Sequence, residues 1–378
     1  MMKLTTLASL AVKHAQNDIA ERIYLSTAYD TTRPITFYGE INERCNIKCR
    51  YCPYWRMKEY ATEMTIDEWQ RGLLSIKDFV GTFSINFNGG EGFIKPGFVD
   101  LLAWCHANGI SAGATTNGSA LTRPNAQKLV AASPLNINIS VDTPNAELND
   151  YLRGCPGLFK RLSTGITYLV EQRESLRASF PIVIKPTVTA LNFRDIPDLV
   201  EWTKRIGASC VYPQPVSRST PETYDELWIK EPELPEFERM VRRLIEMRRA
   251  GEPILTPEPV LASMPDHFRL KRAPQTALPC RIGLRNFMIL TNGDVHLCHR
   301  AFPAVGNLKT QTAREIWYSA KAREVRKRTV ACQRLCLGAC VSPKTIPDKI
   351  KMGLVMLKNA RLTPPSKKDS VGRDLTLL

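Results

Sequence analysis

Arg44-Cys45-Asn46-Ile47-Lys48-Cys49-Arg50-Tyr51-Cys52 sets three thiols at CxxxCxxC spacing, the densest chemistry in this 378-residue chain. Three thiolates on one loop can each hold one iron of a [4Fe–4S] cube and leave the fourth iron without a protein ligand. Zinc would ask for a fourth ligand nearby, and the flanking residues offer none. A second group lies far downstream: Cys280, Cys298, Cys332, Cys336 and Cys340. Five thiolates suffice for one fully ligated cube and are too few for two, while a hairpin plus a later turn also suits a zinc ribbon. Which of Cys332, Cys336 and Cys340 is the spare stays open. Cys105, Cys155 and Cys210 stand alone. Clustered cysteines in a large chain without a secretory signal point to metal binding rather than a disulfide framework.

The elements that must position these thiols follow from periodicity. Strand-like runs at 35–41, 83–87, 110–116, 135–141, 181–189 and 209–216 alternate with helical ones, giving six βα steps. Thr65 with Glu68 forms a capping box ahead of a helix whose apolar positions include Trp69, Leu73, Leu74 and Ile76. Glycine and polar residues gather at the C-terminal ends of the strands, where (β/α) barrels place their chemistry. The expected fold is therefore α/β, a partial (β/α)6 TIM-like barrel. Residues 1–34 form an N-terminal helical extension, 35–250 the barrel, 251–345 a linker and a small cysteine-rich domain, and 346–378 a basic helix and tail. Within the small domain, Thr291-Asn292-Gly293-Asp294 is a hairpin signal between two short strands.

These motifs together resemble the radical S-adenosylmethionine (SAM) superfamily over roughly residues 35–215. Tyr51 before Cys52 fits the family pattern. Gly89-Gly90-Glu91 resembles its GGE motif, with Gly92 in place of the usual proline, and Thr116-Asn117-Gly118 its TNG segment. Ser140 and Asp142 match positions at or near the ribose, and Arg153 matches an arginine that can pair with the methionine carboxylate. The resemblance implies that the open iron is chelated by the amino and carboxylate groups of SAM, which the GGE backbone and carboxylate help to hold. Reductive cleavage then yields a 5′-deoxyadenosyl radical that abstracts hydrogen from substrate. Cys280, Gly293 and Cys298 resemble the opening of SPASM and twitch extensions, which implies one auxiliary [4Fe–4S] cluster. An electron donor such as flavodoxin or ferredoxin is implied as well. In some relatives a lone cysteine returns a hydrogen atom, which nominates Cys155 and Cys210 against the commoner reading of inert thiols. Tyr212 and Gln214 are expected at the barrel mouth as substrate contacts.

The net charge is +15, and residues 321–378 carry 14 basic against four acidic side chains. That tail suits an anionic substrate or a membrane surface met by a basic helix near 350–357, while nucleic acid lacks an accompanying motif. No run approaches the ~20 apolar residues of a membrane span, and residues 4–12 read as an amphipathic helix rather than a cleaved signal, so the cytoplasm is expected. The substrate expectation is a small, anionic or sugar- or nucleotide-like molecule. About 35 residues precede the barrel, short of the peptide-binding domain that many peptide-modifying relatives carry. Modification of a ribosomally made peptide is the runner-up, and a zinc-ribbon nucleic-acid-binding protein is the alternative from another class.

Overall fold

The computed structural model describes residues 4–57, 59–271, 279–298 and 301–337. Cys340, His299 and the basic helix expected at 350–357 lie outside them. Strands β1 (Thr36–Asn42), β2 (Ser84–Gly89), β3 (Ser111–Thr116), β4 (Ile137–Ile139) and β5 (Ile182–Ile184) run parallel. The run expected at 181–189 breaks after β5 and resumes as β6 (Thr187–Val188). The next run likewise divides into β7 (Cys210–Val211), parallel to β5, and β8 (Gln214–Pro215), which pairs with β6.

Helices follow the strands as anticipated. The first, α1 (Leu4–Thr27), precedes the sheet, and α2 (Ile66–Val80), α3 (Phe98–Ala107) and α4 (Arg123–Ala131) follow β1, β2 and β3. Helices α5 (Ala146–Arg153) and α6 (Leu158–Ser175) follow β4, α7 (Ile196–Arg205) follows β6, and α8 (Leu234–Arg249) follows β8. The capping box forms: Glu68 N donates to Thr65 Oγ1 and Thr65 N to the Glu68 carboxylate. Trp69, Leu73 and Ile76 are fully buried, with Trp69 edge-on to Phe87 at 5.4 Å. Truncating such a buried indole costs about 3–5 kcal/mol. Leu74, another of its apolar positions, is exposed.

Beyond α8 come two short helices, α9 (Glu258–Ala262) and α10 (Met264–Phe268), and then β9 (Asn286–Ile289), β10 (Asp294–His296) and β11 (Gly306–Asn307). The expected hairpin forms, with Gly293 at φ 89°. Rather than standing apart from the barrel, it joins its sheet: β9 runs parallel to the free edge of β1, giving the order β11-β10-β9-β1-β2-β3-β4-β5-β7. The chain closes with α11 (Ala313–Trp317) and α12 (Ala320–Val330). Helix α1 is pinned at the end where the strands begin. Its Lys13 donates to the carbonyls of Val80 and Thr82, Asn17 donates to Leu284 O, and buried Glu21 pairs with Arg281 and Arg285. The opposite end, where β1 empties into the cysteine loop, is left for chemistry.

Candidate active site

A register shift between Glu40 and Asn42 ends β1 and throws the chain into the loop that carries Cys45, Cys49 and Cys52. The three thiols face one another, and burial leads each pKa upward, to about 12 for Cys49 and Cys52. Two donors point at the sulfurs. Arg153 Nη1 lies 3.5 Å from Cys49 Sγ and Asn117 Nδ2 3.8 Å from Cys45 Sγ. Helix α5 braces the loop from below: Arg50 N donates to Leu152 O, and a Cβ on Gly154 would stand 2.1 Å from Lys48 O.

Gly89 and Gly90 are required by this loop itself. A Cβ would lie 2.2 Å from Asn42 O at the first and 2.0 Å from Arg44 O at the second. Their neighbour Glu91 has its carboxylate engaged within the chain. It accepts from Thr116 Oγ1 (2.9 Å), Asn117 N (2.7 Å) and Phe93 N (3.1 Å), and it has no exposed surface. Burial raises the Glu91 pKa against the pull of those bonds. Its role here is to stitch the GGE turn to the TNG turn.

Asp142 is likewise enclosed rather than open to a ribose. Its Oδ2 accepts from Tyr51 OH (2.7 Å) and lies 3.0 Å from Arg153 Nε, while Oδ1 accepts from Thr187 N (2.8 Å). Asn149 and Asn192 hold its backbone. Burial opposes the charge on Arg153, but Asp142, Tyr51 and Cys49 outweigh it and raise its pKa. The guanidinium therefore ties Asp142 to the cysteine loop. Ser140 N donates to Thr116 O, which places Ser140 beside the TNG turn.

The two solitary cysteines differ in placement. Cys155 follows the Gly154 that abuts Lys48 of the cysteine loop, and its Sγ accepts from Arg161 of α6 (3.1 Å). Cys210 opens β7, at the strand end remote from the cysteine loop, packed with Val183 and Tyr212, and burial pushes its thiol to about 12. Cys210 is thus set among packing residues.

In the second group, Cys280 lies near Cys332, Cys298 and Cys336, and burial foremost lifts its pKa to about 11. Among the described residues no three His, Cys, Asp or Glu side chains are drawn in around one metal ion. His296 is engaged with Phe302 O. Between the two groups lies a cavity of about 230 Å³, lined by Tyr51, Thr187, Gln214, Ser217, His267 and Cys336. Gln214 thus sits as expected, whereas Tyr212 lines a separate cavity in the barrel interior.

The family description "Radical SAM superfamily" fits residues 40–198, and "Iron-sulfur cluster-binding domain", the SPASM family, fits residues 280–341. The chain belongs to the radical SAM superfamily. It is 26% identical over 311 residues to the AdoMet-dependent heme synthase of Methanosarcina barkeri, covering 77% of this chain and 84% of that protein. It is 24% identical to the sporulation killing factor maturation protein SkfB of Bacillus subtilis, covering 49% of this chain and 43% of SkfB. Two further heme synthases are matched over only 44% and 42% of their length. The crystal structure of Streptococcus suis SuiB bound to S-adenosylmethionine superposes with a TM-score of 0.61 at 18% identity, over 78% of this chain and 68% of that one.

This radical SAM enzyme has a [4Fe–4S] cluster and SAM as cofactors, with an iron–sulfur-binding SPASM domain behind them, which replaces the zinc-ribbon alternative. The residues present suit those groups: one buried and two half-buried thiols on one short loop, with N–H donors aimed at two of the sulfurs. No described helix is long and apolar enough to cross a membrane. Sequence reasoning missed Asn149 and Asn192 and the latch of Arg50 on Glu226 (2.8 Å), whose partners lie far along the chain. It also passed over Glu40, although a carboxylate inside an apolar strand run is itself a signal.

Proposed function

We propose that Cys45, Cys49 and Cys52 hold the SAM-cleaving cluster, that Cys280, Cys298, Cys332 and Cys336 hold one auxiliary cluster, and that a hydrogen atom is abstracted from substrate in the cavity between them, opening the way to oxidation, epimerisation, decarboxylation or bond formation. When bound, the first cluster and SAM supply a 5′-deoxyadenosyl radical. The protein's own part is positional. Arg153 offers its remaining guanidinium edge to the methionine carboxylate, Asn117 and Arg153 donate toward the ligand sulfurs, and Tyr51 forms the wall between cofactor and substrate.

The observation that carries this reading is the cavity itself, with Tyr51 on one side and Cys336 on the other. Thr187, Gln214, Ser217, Ser219 and His267 supply hydroxyl, amide and imidazole groups, and among the described residues no Lys or Arg lines it. That wall favours the sugar- or nucleotide-like part of the substrate expectation over an anionic group at the reacting end. A second reading rests on size. At about 230 Å³ the cavity is smaller than the ~300–1,000 Å³ typical of whole small-molecule sites. It therefore also suits one side chain of a larger substrate, such as a peptide, consistent with a relative named as a maturation protein.

The test is 5′-deoxyadenosine formation by anaerobically reconstituted protein with SAM and dithionite. Sugars and nucleotide sugars, iron coproporphyrin and ribosomal precursor peptides serve as separate probes. Stimulation above the substrate-free rate by a nucleotide sugar, lost in Gln214→Ala, supports the first reading; stimulation by peptides alone overturns it in favour of the second.

A further inference from the structure

The carboxylate left free beside the Gly89-Gly90 turn is that of Glu40, not Glu91. Glu40 lies on β1, paired in register with Asn88 of β2, and Tyr38 two residues earlier is paired with Asn86. Tyr38, Asn86 and Asn88 line the cavity of about 340 Å³ inside the barrel. Strand alternation puts Glu40 on that same inner face, because Gly39 between them backs onto Phe87 and Trp69 on the outer face. Its side chain lies over the turn: a Cβ on Gly89 would stand 3.0 Å from Glu40 Cγ.

Glu40 is only 8% exposed, and no described residue forms a hydrogen bond or ion pair with its side chain. Burial, helped by the charge of Glu43, raises its pKa to about 7. A carboxylate enclosed this far, with only residual contact with solvent, is unfavourable unless a donor or cation comes to it. SAM brings two positive centres, an α-ammonium and a sulfonium, against one carboxylate. Glu91 already accepts three hydrogen bonds and Glu43 accepts from Ala61 N, whereas Glu40, the residue whose side chain lies over Gly89, has its full accepting capacity left.

We propose that Glu40 is a SAM-binding residue whose carboxylate faces the positive end of the cofactor beside Gly89. This rests on the reading of Cys45, Cys49 and Cys52 as the ligands of the SAM-cleaving cluster. SAM binding by the reconstituted wild-type protein checks that reading separately.

The experiment is equilibrium dialysis of SAM and of S-adenosylhomocysteine against reconstituted wild type, Glu40→Gln and Glu40→Asp. Iron per chain and the EPR signal of the reduced cluster are recorded alongside. Glutamine keeps the shape and removes the charge, so iron should stay at the wild-type level while the SAM Kd rises about tenfold or more. Aspartate, which keeps the charge, should lie nearer wild type and retain the SAM-induced change in the EPR signal. S-adenosylhomocysteine lacks the sulfonium. Its binding falls in parallel if the ammonium is the partner and is spared if the sulfonium is. Equal SAM affinity in wild type and Glu40→Gln overturns the proposal. So does an equal loss of SAM affinity in the Asp and Gln variants at matched iron content, since charge would then be irrelevant.

Discussion

Arg153 Nη1 and Cys49 Sγ meet at 3.5 Å, across 104 residues of chain. Through the same guanidinium, with Nε 3.0 Å from Asp142 Oδ2, the end of α5 is joined both to the cysteine loop and to the segment that leaves β4. A single planar, permanently charged fork serves an anion and a sulfur at once, and a lysine ammonium cannot span both.

Arg153→Lys should therefore retain the fold and lose at least about tenfold in substrate-free SAM cleavage. Arg153→Ala leaves Asp142 buried without its cation and should destabilise the protein by about 3–5 kcal/mol. 5′-Deoxyadenosine assays on the first variant and urea unfolding of the second check these outcomes.

Changing Cys45, Cys49 and Cys52 to alanine should lower reconstituted iron from about eight to about four per chain and abolish SAM cleavage. Changing Cys280 and Cys332 to alanine should lower iron by a similar amount yet leave substrate-free SAM cleavage in place. Iron and sulfide assays paired with product analysis separate the two groups. Loss of all iron in both variants would contradict independent clusters.

Gly90→Ala drives a methyl to within 2.0 Å of Arg44 O, a backbone atom held by the bond from Glu91 N. The turn cannot yield cheaply, so the expected cost is about 3 kcal/mol or more, with poor cluster incorporation. Gly109 is the control. Its φ is +69° but nothing lies within 4 Å of a Cβ, so alanine there should cost only about 1–2 kcal/mol for backbone strain. Denaturant titration of both variants gives the comparison.

Glu40 also predicts a pH signature. Its pKa is raised from 4.5 to about 7 in the folded chain, mainly by burial. The native state therefore holds the proton more tightly than the unfolded one, and stability declines as pH climbs between those values. Glu40→Gln should be more stable than wild type at pH 8, by up to about 3 kcal/mol, and the gap should close toward pH 4.5. Unfolding of cluster-free protein at the two pH values checks this. A constant gap would show that Glu40 is not the titrating group.

Much of the architecture was legible because strand alternation, capping chemistry and turn residues are local. Thr65 and Glu68 cap their helix as read, and Asn292-Gly293 turns its hairpin. Apolar character alone does not say which arc of α2 meets the sheet, and Leu74 falls on the exposed one. The hairpin's attachment to β1 was not legible either, since edge pairing joins residues some 250 positions apart.

The cysteine spacing and the order of the GGE and TNG motifs identified the radical chemistry without coordinates. A loop's ligand spacing is set by covalent reach, and the strand ends on which such loops sit are set by short-range pattern. Only the folded chain decided how each side chain is used. It committed Glu91 to Thr116 and Asn117, and Asp142 to Tyr51 and Arg153. It gathered Cys280 with Cys298, Cys332 and Cys336. It also left Glu40 nearly enclosed with no partner among the described residues, because a carboxylate's partners are chosen by three-dimensional proximity.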